Sequence, residues 1–307
     1  MRRTIAATCT AIALLGWGPL GTPPAAAAIN STMETAGLTN SQNKTTTAYC
    51  GSDAWVVGGG GRINSADGQA GMTFLSPTLD GRDFFVTARE DDSGFAGQWN
   101  APATVLCSYE VPGRQVVAAT SVPASVNARS VTVSCPAGKR VLGAFGGVTG
   151  GFGHVVLDDL RPAADLRSVT VTGIEDQDGF AGNWAVTARA VCALALPGLQ
   201  LITTTSPVDS AEHKELTMSC PAGTEVHSIG AEITRGAGQV RLDAMIPQFG
   251  FQTHVLIGAI EDEDGHADRW SITGHLICAA GNPPAQASVA SWRPGRSAAD
   301  RAPAPVR

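Results

Sequence analysis

The chain of 307 residues carries 21 Lys and Arg against 27 Asp and Glu, a formal charge of −6. That balance leaves no cationic excess to neutralise a phosphate backbone, so nucleic acid is excluded as a partner class. The 36 glycines, the scarce aromatics and the three lysines (Lys44, Lys139, Lys214) point to a GC-rich bacterial genome, and the length suits two domains or three small ones.

Residues 1–28 read as a secretory signal peptide: Arg2-Arg3, an apolar run from Ile5 to Trp17, then Ala25 to Ala28 as the cleavage region. No later stretch is long enough for a membrane span, which predicts a secreted, extracellular protein. Residues 29–48 form a Thr/Asn/Ser-rich leader suited to add as a strand to a partner's sheet edge. Residues 281–307, rich in Pro and Ala and carrying Arg293, Arg296, Arg301 and Arg307, lack apolar periodicity and read as a disordered tail. The segment between, 29–280, holds 15 basic and 26 acidic residues and is therefore distinctly acidic.

An internal repeat organises that segment. Cys50, Cys135 and Cys220 recur every 85 residues, and Cys107, Cys192 and Cys278 follow in step, as do Pro77, Pro162 and Pro247 and Trp99, Trp184 and Trp270. The copies run 29–114, 115–199 and 200–280. Six cysteines in an exported chain imply disulfides, and the repeat selects Cys50–Cys107, Cys135–Cys192 and Cys220–Cys278 from the fifteen pairings open to six.

Within a copy the hydrophobic period is two. Trp184-x-Val186-x-Ala188-x-Ala190-x-Cys192 places one set on a single strand face, and Val131-Thr132-Val133 and Val169-Thr170-Val171 are further β-branched strands. Five or six short strands per copy, and no amphipathic helix, predict an all-β protein. It is built of three tandem, disulfide-stapled repeats of about 85 residues, arranged with pseudo-threefold symmetry or as beads on a string. Gly58 to Gly61 and Gly146-Gly147 are expected to mark bends or bulges.

An acidic turn precedes each recurring tryptophan, with Glu90, Asp91 and Asp92 in copy one, Glu175, Asp176 and Asp178 in copy two, and Glu261, Asp262 and Asp264 in copy three. Clustered carboxylates are hard oxygen ligands, which makes calcium the candidate ion and the only cofactor expected. The competing reading is a solvated hairpin loop in which Asp and Gly satisfy the turn. An EF-hand is excluded, because Asn100, Ala185 and Ser271 stand where its bidentate Glu belongs.

Adjacent acids repeated three times argue for binding or structure rather than glycoside hydrolysis, which needs two carboxyls held across a cleft. No G-x-S-x-G and no unpaired mature thiol occur, so no catalytic residue is assigned and the chain reads as non-enzymatic. His227, His254 and His275 form a conceivable histidine cluster in copy three. Trp99, Trp184 and Trp270 share a face with Val and Ala and read as core. Residues that differ between copies at expected turns are the binding candidates: Trp55 and Arg62, Phe145 and Phe152, His227 and Arg235.

The Cys-Pro-Ala-Gly of residues 135–138 and 220–223, together with the strand from Trp184 to Cys192, resembles repeats of secreted actinobacterial proteins that have no assigned biochemical function. The threefold all-β arrangement is also similar in architecture to β-prism proteins such as vitelline membrane outer layer protein, although the motifs differ. Together these readings predict a secreted, multivalent, lectin-like binding protein that recognises a cell-envelope carbohydrate or another extracellular protein. The alternatives are an adapter subunit of an extracellular assembly, and a hydrolase of unfamiliar type.

Overall fold

The computed structural model describes residues 31–248 and 253–280, so the expected signal peptide (1–28) and tail (281–307) lie outside the described residues. Copy one forms β1 (Ser31–Thr35), β2 (Lys44–Tyr49), β3 (Trp55–Arg62), β4 (Ala70–Pro77), β5 (Asp83–Glu90) and β6 (Ala103–Ser108). Copy two forms β7 (Gln115–Thr120), β8 (Ala128–Ser134), β9 (Lys139–Thr149), β10 (Val155–Pro162), β11 (Ser168–Glu175) and β12 (Ala185–Leu194). Copy three forms β13 (Gln200–Thr205), β14 (His213–Ser219), β15 (Thr224–Thr234), β16 (Val240–Pro247), β17 (His254–Glu261) and β18 (Ser271–Ala280). The strands arise from the predicted alternation: in β11 Val169 and Val171 are buried while Thr170 and Thr172 lie on the wetter face. Among the described residues no helix is long and apolar enough to cross a membrane.

The eighteen strands form three antiparallel six-stranded sheets, and each sheet is completed by two copies. Copies one and three build β1-β6-β3-β16-β17-β14, copies one and two build β2-β5-β4-β9-β12-β7, and copies two and three build β13-β18-β15-β10-β11-β8. We call these the 1–3, 1–2 and 2–3 sheets. Every copy therefore gives its first, third and sixth strands to one sheet and its second, fourth and fifth to the next, which closes a pseudo-threefold prism. The beads-on-a-string arrangement is corrected, because no copy owns a complete sheet. The leader reading is corrected too: β1 pairs with β6 and β2 with β5, so residues 31–35 and 44–49 serve the chain's own sheet edges.

At the prism axis β3, β9 and β15 touch one another. Each is bulged there, with Val57, Leu142 and His227 as the extra residues. The glycines expected at bends lie inside these strands because the backbones meet. A Cβ on Gly58 would stand 1.8 Å from the His227 carbonyl oxygen, and one on Gly143 2.3 Å from that of Val57. Copy three carries Ser228 at the equivalent place, and its Oγ accepts a hydrogen bond from the Ala144 amide at 2.9 Å.

One apolar cluster runs through all three copies, with Trp184 and Trp270 fully enclosed in it. Cys50–Cys107, Cys135–Cys192 and Cys220–Cys278 are joined within their copies, across sequence separations of 57, 57 and 58 residues. Closing a loop of that length contributes about 4 kcal/mol by the chain-entropy treatment. Because the sheets are shared, the Cys135→Ala/Cys192→Ala variant is expected to lower the stability of the whole molecule in one cooperative transition by about that amount. Guanidinium unfolding followed by tryptophan fluorescence checks this; three separate transitions would contradict the shared-sheet architecture.

Candidate functional site

The three acidic turns meet at one end of the prism, but each acid of a turn has its own environment. The first, a glutamate, accepts a hydrogen bond from the indole that follows it: Trp99 to Glu90 at 2.7 Å, Trp184 to Glu175 at 2.8 Å and Trp270 to Glu261 at 2.7 Å. These glutamates anchor the core tryptophans. The second, an aspartate, is buried in every copy, and burial pushes Asp91 and Asp262 up to about 6 and raises Asp176 as well. Arg241 opposes that rise in all three: it is buried beside them and donates from Nη1 to the Gly153 carbonyl at 3.2 Å. Gly71 and Val156 hold the equivalent positions in the other copies, so a single arginine serves the three aspartates. Beneath it lies a cavity of about 10 Å³ lined by Gly71, Thr73, Arg89, Gly153, Val156 and Arg241, room for about one water. The third acids, Asp92, Asp178 and Asp264, are exposed.

The turns also touch one another. Ser93 Oγ lies 2.8 Å from Asp91 Oδ1 and 2.5 Å from Glu263 Oε1, and Gln177 donates to Asp264 at 2.7 Å. Repetition in sequence has thus become one composite surface on which the three turns meet.

Of the predicted contact residues, two are corrected. Phe145 is 1 % exposed and packs on Phe84, and His227 is buried at the axis. Both sit in strand interiors, Phe145 in β9 beside Gly146 and His227 in β15. Their companions remain at the surface. Arg62 and Arg235 are exposed, and Phe152, 67 % exposed with φ 49°, leans on Phe180. Trp55 is half-buried, with the guanidinium groups of Arg82 and Arg114 at 3.6 and 4.5 Å from its ring centre. The three histidines of copy three do not gather: His227 is axial, His254 opens β17, and His275 lies in β18.

A second locus, at the centre of the 2–3 sheet, has no precedent in the sequence reading. Cross-strand register lines up Thr205, Thr273, Glu232, Asp159, Thr172 and Ser130 across all six strands. At the usual strand spacing that row is about 24 Å long. Thr205 and Thr273 hydrogen bond at 2.9 Å, as do Ser130 and Thr172. Around the central pair stand Asp158, the bulge residue of β10, with Arg161 and His275. Arg161 Nη1 is 3.7 Å from Glu232 Oε1, and His275 Nε2 is 3.5 Å from Glu232 Oε2. Burial, then the neighbouring charges of Asp159 and Glu232, push the Asp158 carboxyl up to about 8, so it keeps its proton at neutral pH. Burial raises Asp159 and lowers His275.

The other two sheets have different centres. The 1–2 sheet carries the same threonine frame, Thr45, Thr87, Thr187 and Thr120, around Phe74 and Gly147. The 1–3 sheet sets Arg62 opposite Ala244. The 1–3 sheet also carries His213 3.2 Å from Asp243, so what sets the 2–3 sheet apart is the carboxyl pair at its centre, which arises by substitution at equivalent positions. Aligning the copies would have exposed it, since Asp159 stands where Phe74 and Ala244 do, and Glu232 where Gly147 and Arg62 do. No protein-family model matches the chain, and no curated protein is detectably similar to it.

Proposed function

We propose that the protein is a secreted binding protein for a cell-envelope carbohydrate, and that it reads its ligand with the outer face of the 2–3 sheet. The row of hydroxyls and carboxyls across six strands carries this reading. Sugar hydroxyls need donors and acceptors side by side, which Arg161, a protonated Asp158, Glu232 and the threonines supply together. Three disulfides fit an oxidising compartment, and the strand frame holds the row rigid before a ligand arrives. Because the sheet centres differ, recognition is assigned to one face rather than to three equal ones.

The test is a glycan array followed by calorimetry on the best soluble polysaccharide. Asp159→Ala and Glu232→Arg place at these sites what the 1–3 sheet already accommodates, so both variants should fold. Each is expected to weaken binding at least about tenfold, the loss of one or two charge-assisted hydrogen bonds, whereas Phe74→Ala on the 1–2 sheet should leave it unchanged. Equal affinity in Asp159→Ala and the native protein would remove the 2–3 face from recognition. A second reading, hydrolysis, is favoured by one observation: Asp158, a carboxyl that keeps its proton at neutral pH, stands beside the carboxyls of Asp159 and Glu232. Release of reducing ends from the bound polysaccharide, abolished in Asp158→Asn, would establish that reading instead.

A further inference from the structure

Where the turns of copies one and two meet, Asp92, His154 and Asp176 bring one ligand atom each within 4.8 Å of one another. His154 Nδ1 lies 3.7 Å from Asp176 Oδ2, and Asp176 is nearly sealed from solvent, its side chain 2 % exposed. Its other oxygen, Oδ1, takes the Gly179 amide at 3.1 Å, so Oδ2 is the one directed at the imidazole. His154 Nδ1 is itself buried and makes no hydrogen bond. The ring is held by stacking on Phe180, with centroids 5.5 Å apart and planes 22° from parallel. Asp92 completes the trio from the exposed rim of the copy-one turn.

We propose that this trio is a zinc site joining copies one and two. Zinc takes imidazole nitrogen and carboxylate oxygen at about 2.0–2.2 Å, and tetrahedral geometry at that radius sets neighbouring ligand atoms about 3.4 Å apart. The His154–Asp176 separation already lies close to that, and Asp92, being exposed, can close the remaining distance by a side-chain rotation. Calcium, which calls for six to eight oxygens, does not suit a site with a nitrogen at its centre. Arg241 places one positive charge near Asp176, but Asp91, Asp92, Asp262 and Glu263 surround it and keep the locality negative. The fourth zinc position is open to water.

The repeat provides the control. Gln69 and Gln239 occupy the His154 position in the other copies, and all three main-chain carbonyls accept the same hydrogen bond, from Asp91, Asp176 and Asp262, at 2.9 to 3.0 Å. His154→Gln therefore reproduces a side chain the fold already carries twice. Calorimetry on the untagged full chain is expected to show one Zn²⁺ bound. Losing a direct ligand should cost more than losing an outer partner, so His154→Gln is expected to weaken binding roughly a hundredfold or more. The visible Co²⁺ absorption of the native protein should disappear in the same variant. Asp92→Asn, at an exposed residue, should weaken zinc by about tenfold or more without altering the melting temperature in EDTA. Zinc affinity unchanged in both variants, or no binding up to about 1 mM Zn²⁺, overturns the proposal.

Discussion

Gly58→Ala is expected to yield no folded protein, although it adds a single methyl group. The new Cβ would stand 1.8 Å from the His227 carbonyl oxygen and 2.8 Å from its carbon, so backbone rather than a flexible side chain must move. Ordinary overpacking costs about 1–3 kcal/mol. Displacing a main-chain carbonyl at the junction of three copies should exceed that and consume much of a total stability of about 5–15 kcal/mol. Gly143→Ala meets the Val57 carbonyl at 2.3 Å and should behave in the same way. The third copy provides the contrast, because Ser228 already has a Cβ there. Ser228→Ala is expected to fold and to lose only about 1–3 kcal/mol, since the buried Ala144 amide is left without its acceptor. Yield of folded protein and denaturant midpoints check the series; near-native stability of Gly58→Ala would mean that the three central strands do not meet as described.

The second large effect is a pH dependence carried by Asp158. Its folded-state value of about 8 lies far above that of an exposed aspartate, so the folded protein holds a proton that the unfolded chain has released. Stability from this group is complete below the unfolded value near 4, falls as pH rises through the window, and levels off above about 8. Asp91 and Asp262, near 6, add a fall of the same sign that is over by neutral pH. Asp158→Asn keeps the shape and the neutral state while removing the titration. The variant should nearly match the native protein at pH 4 and be more stable at pH 9, with a ceiling of roughly 6 kcal/mol for the full shift. Melting curves at the two pH values decide it. Parallel losses in both proteins would show that Asp158 is ionised in the fold at neutral pH.

Much of this architecture is legible in the chain, for identifiable reasons. The cysteine period fixes the pairing, since a repeat with two cysteines per copy leaves each thiol one equivalent partner. Alternation from Trp184 to Cys192 fixes the strand face, and the tryptophans are core as that face requires. What alternation cannot encode is the partner copy. β4 and β10 carry the same signal whether they pair within a copy or, as they do, reach β9 and β15 in the next. The charged row follows from that register, because Asp159 and Glu232 become neighbours only when copies two and three share a sheet. Gly58 to Gly61 follow the β3 bulge that such glycines suggest, but they lie inside a strand because another backbone comes close there. Arg241 and His154 were hidden as single departures from a repeat, visible only against Gly71 and Val156, or Gln69 and Gln239.

The closing of the prism sets an order on its assembly. Gly61 in β3 must find Met245 in β16, almost two hundred residues downstream, before the 1–3 sheet exists. A chain emerging N-terminus first, from a ribosome or through an export pore, can join copies one and two early, yet it waits for the last copy with two open sheet edges. Those edges are templates for any strand that arrives first, including the equivalent strand of a neighbouring chain. The copies are similar enough to substitute for one another, so an exchange of copies between two chains during synthesis would satisfy the same hydrogen bonds. Early closure of each within-copy disulfide opposes this, because it ties the first and last parts of a copy together before a foreign copy can intervene. In this light the three cystines act on timing as much as on final stability.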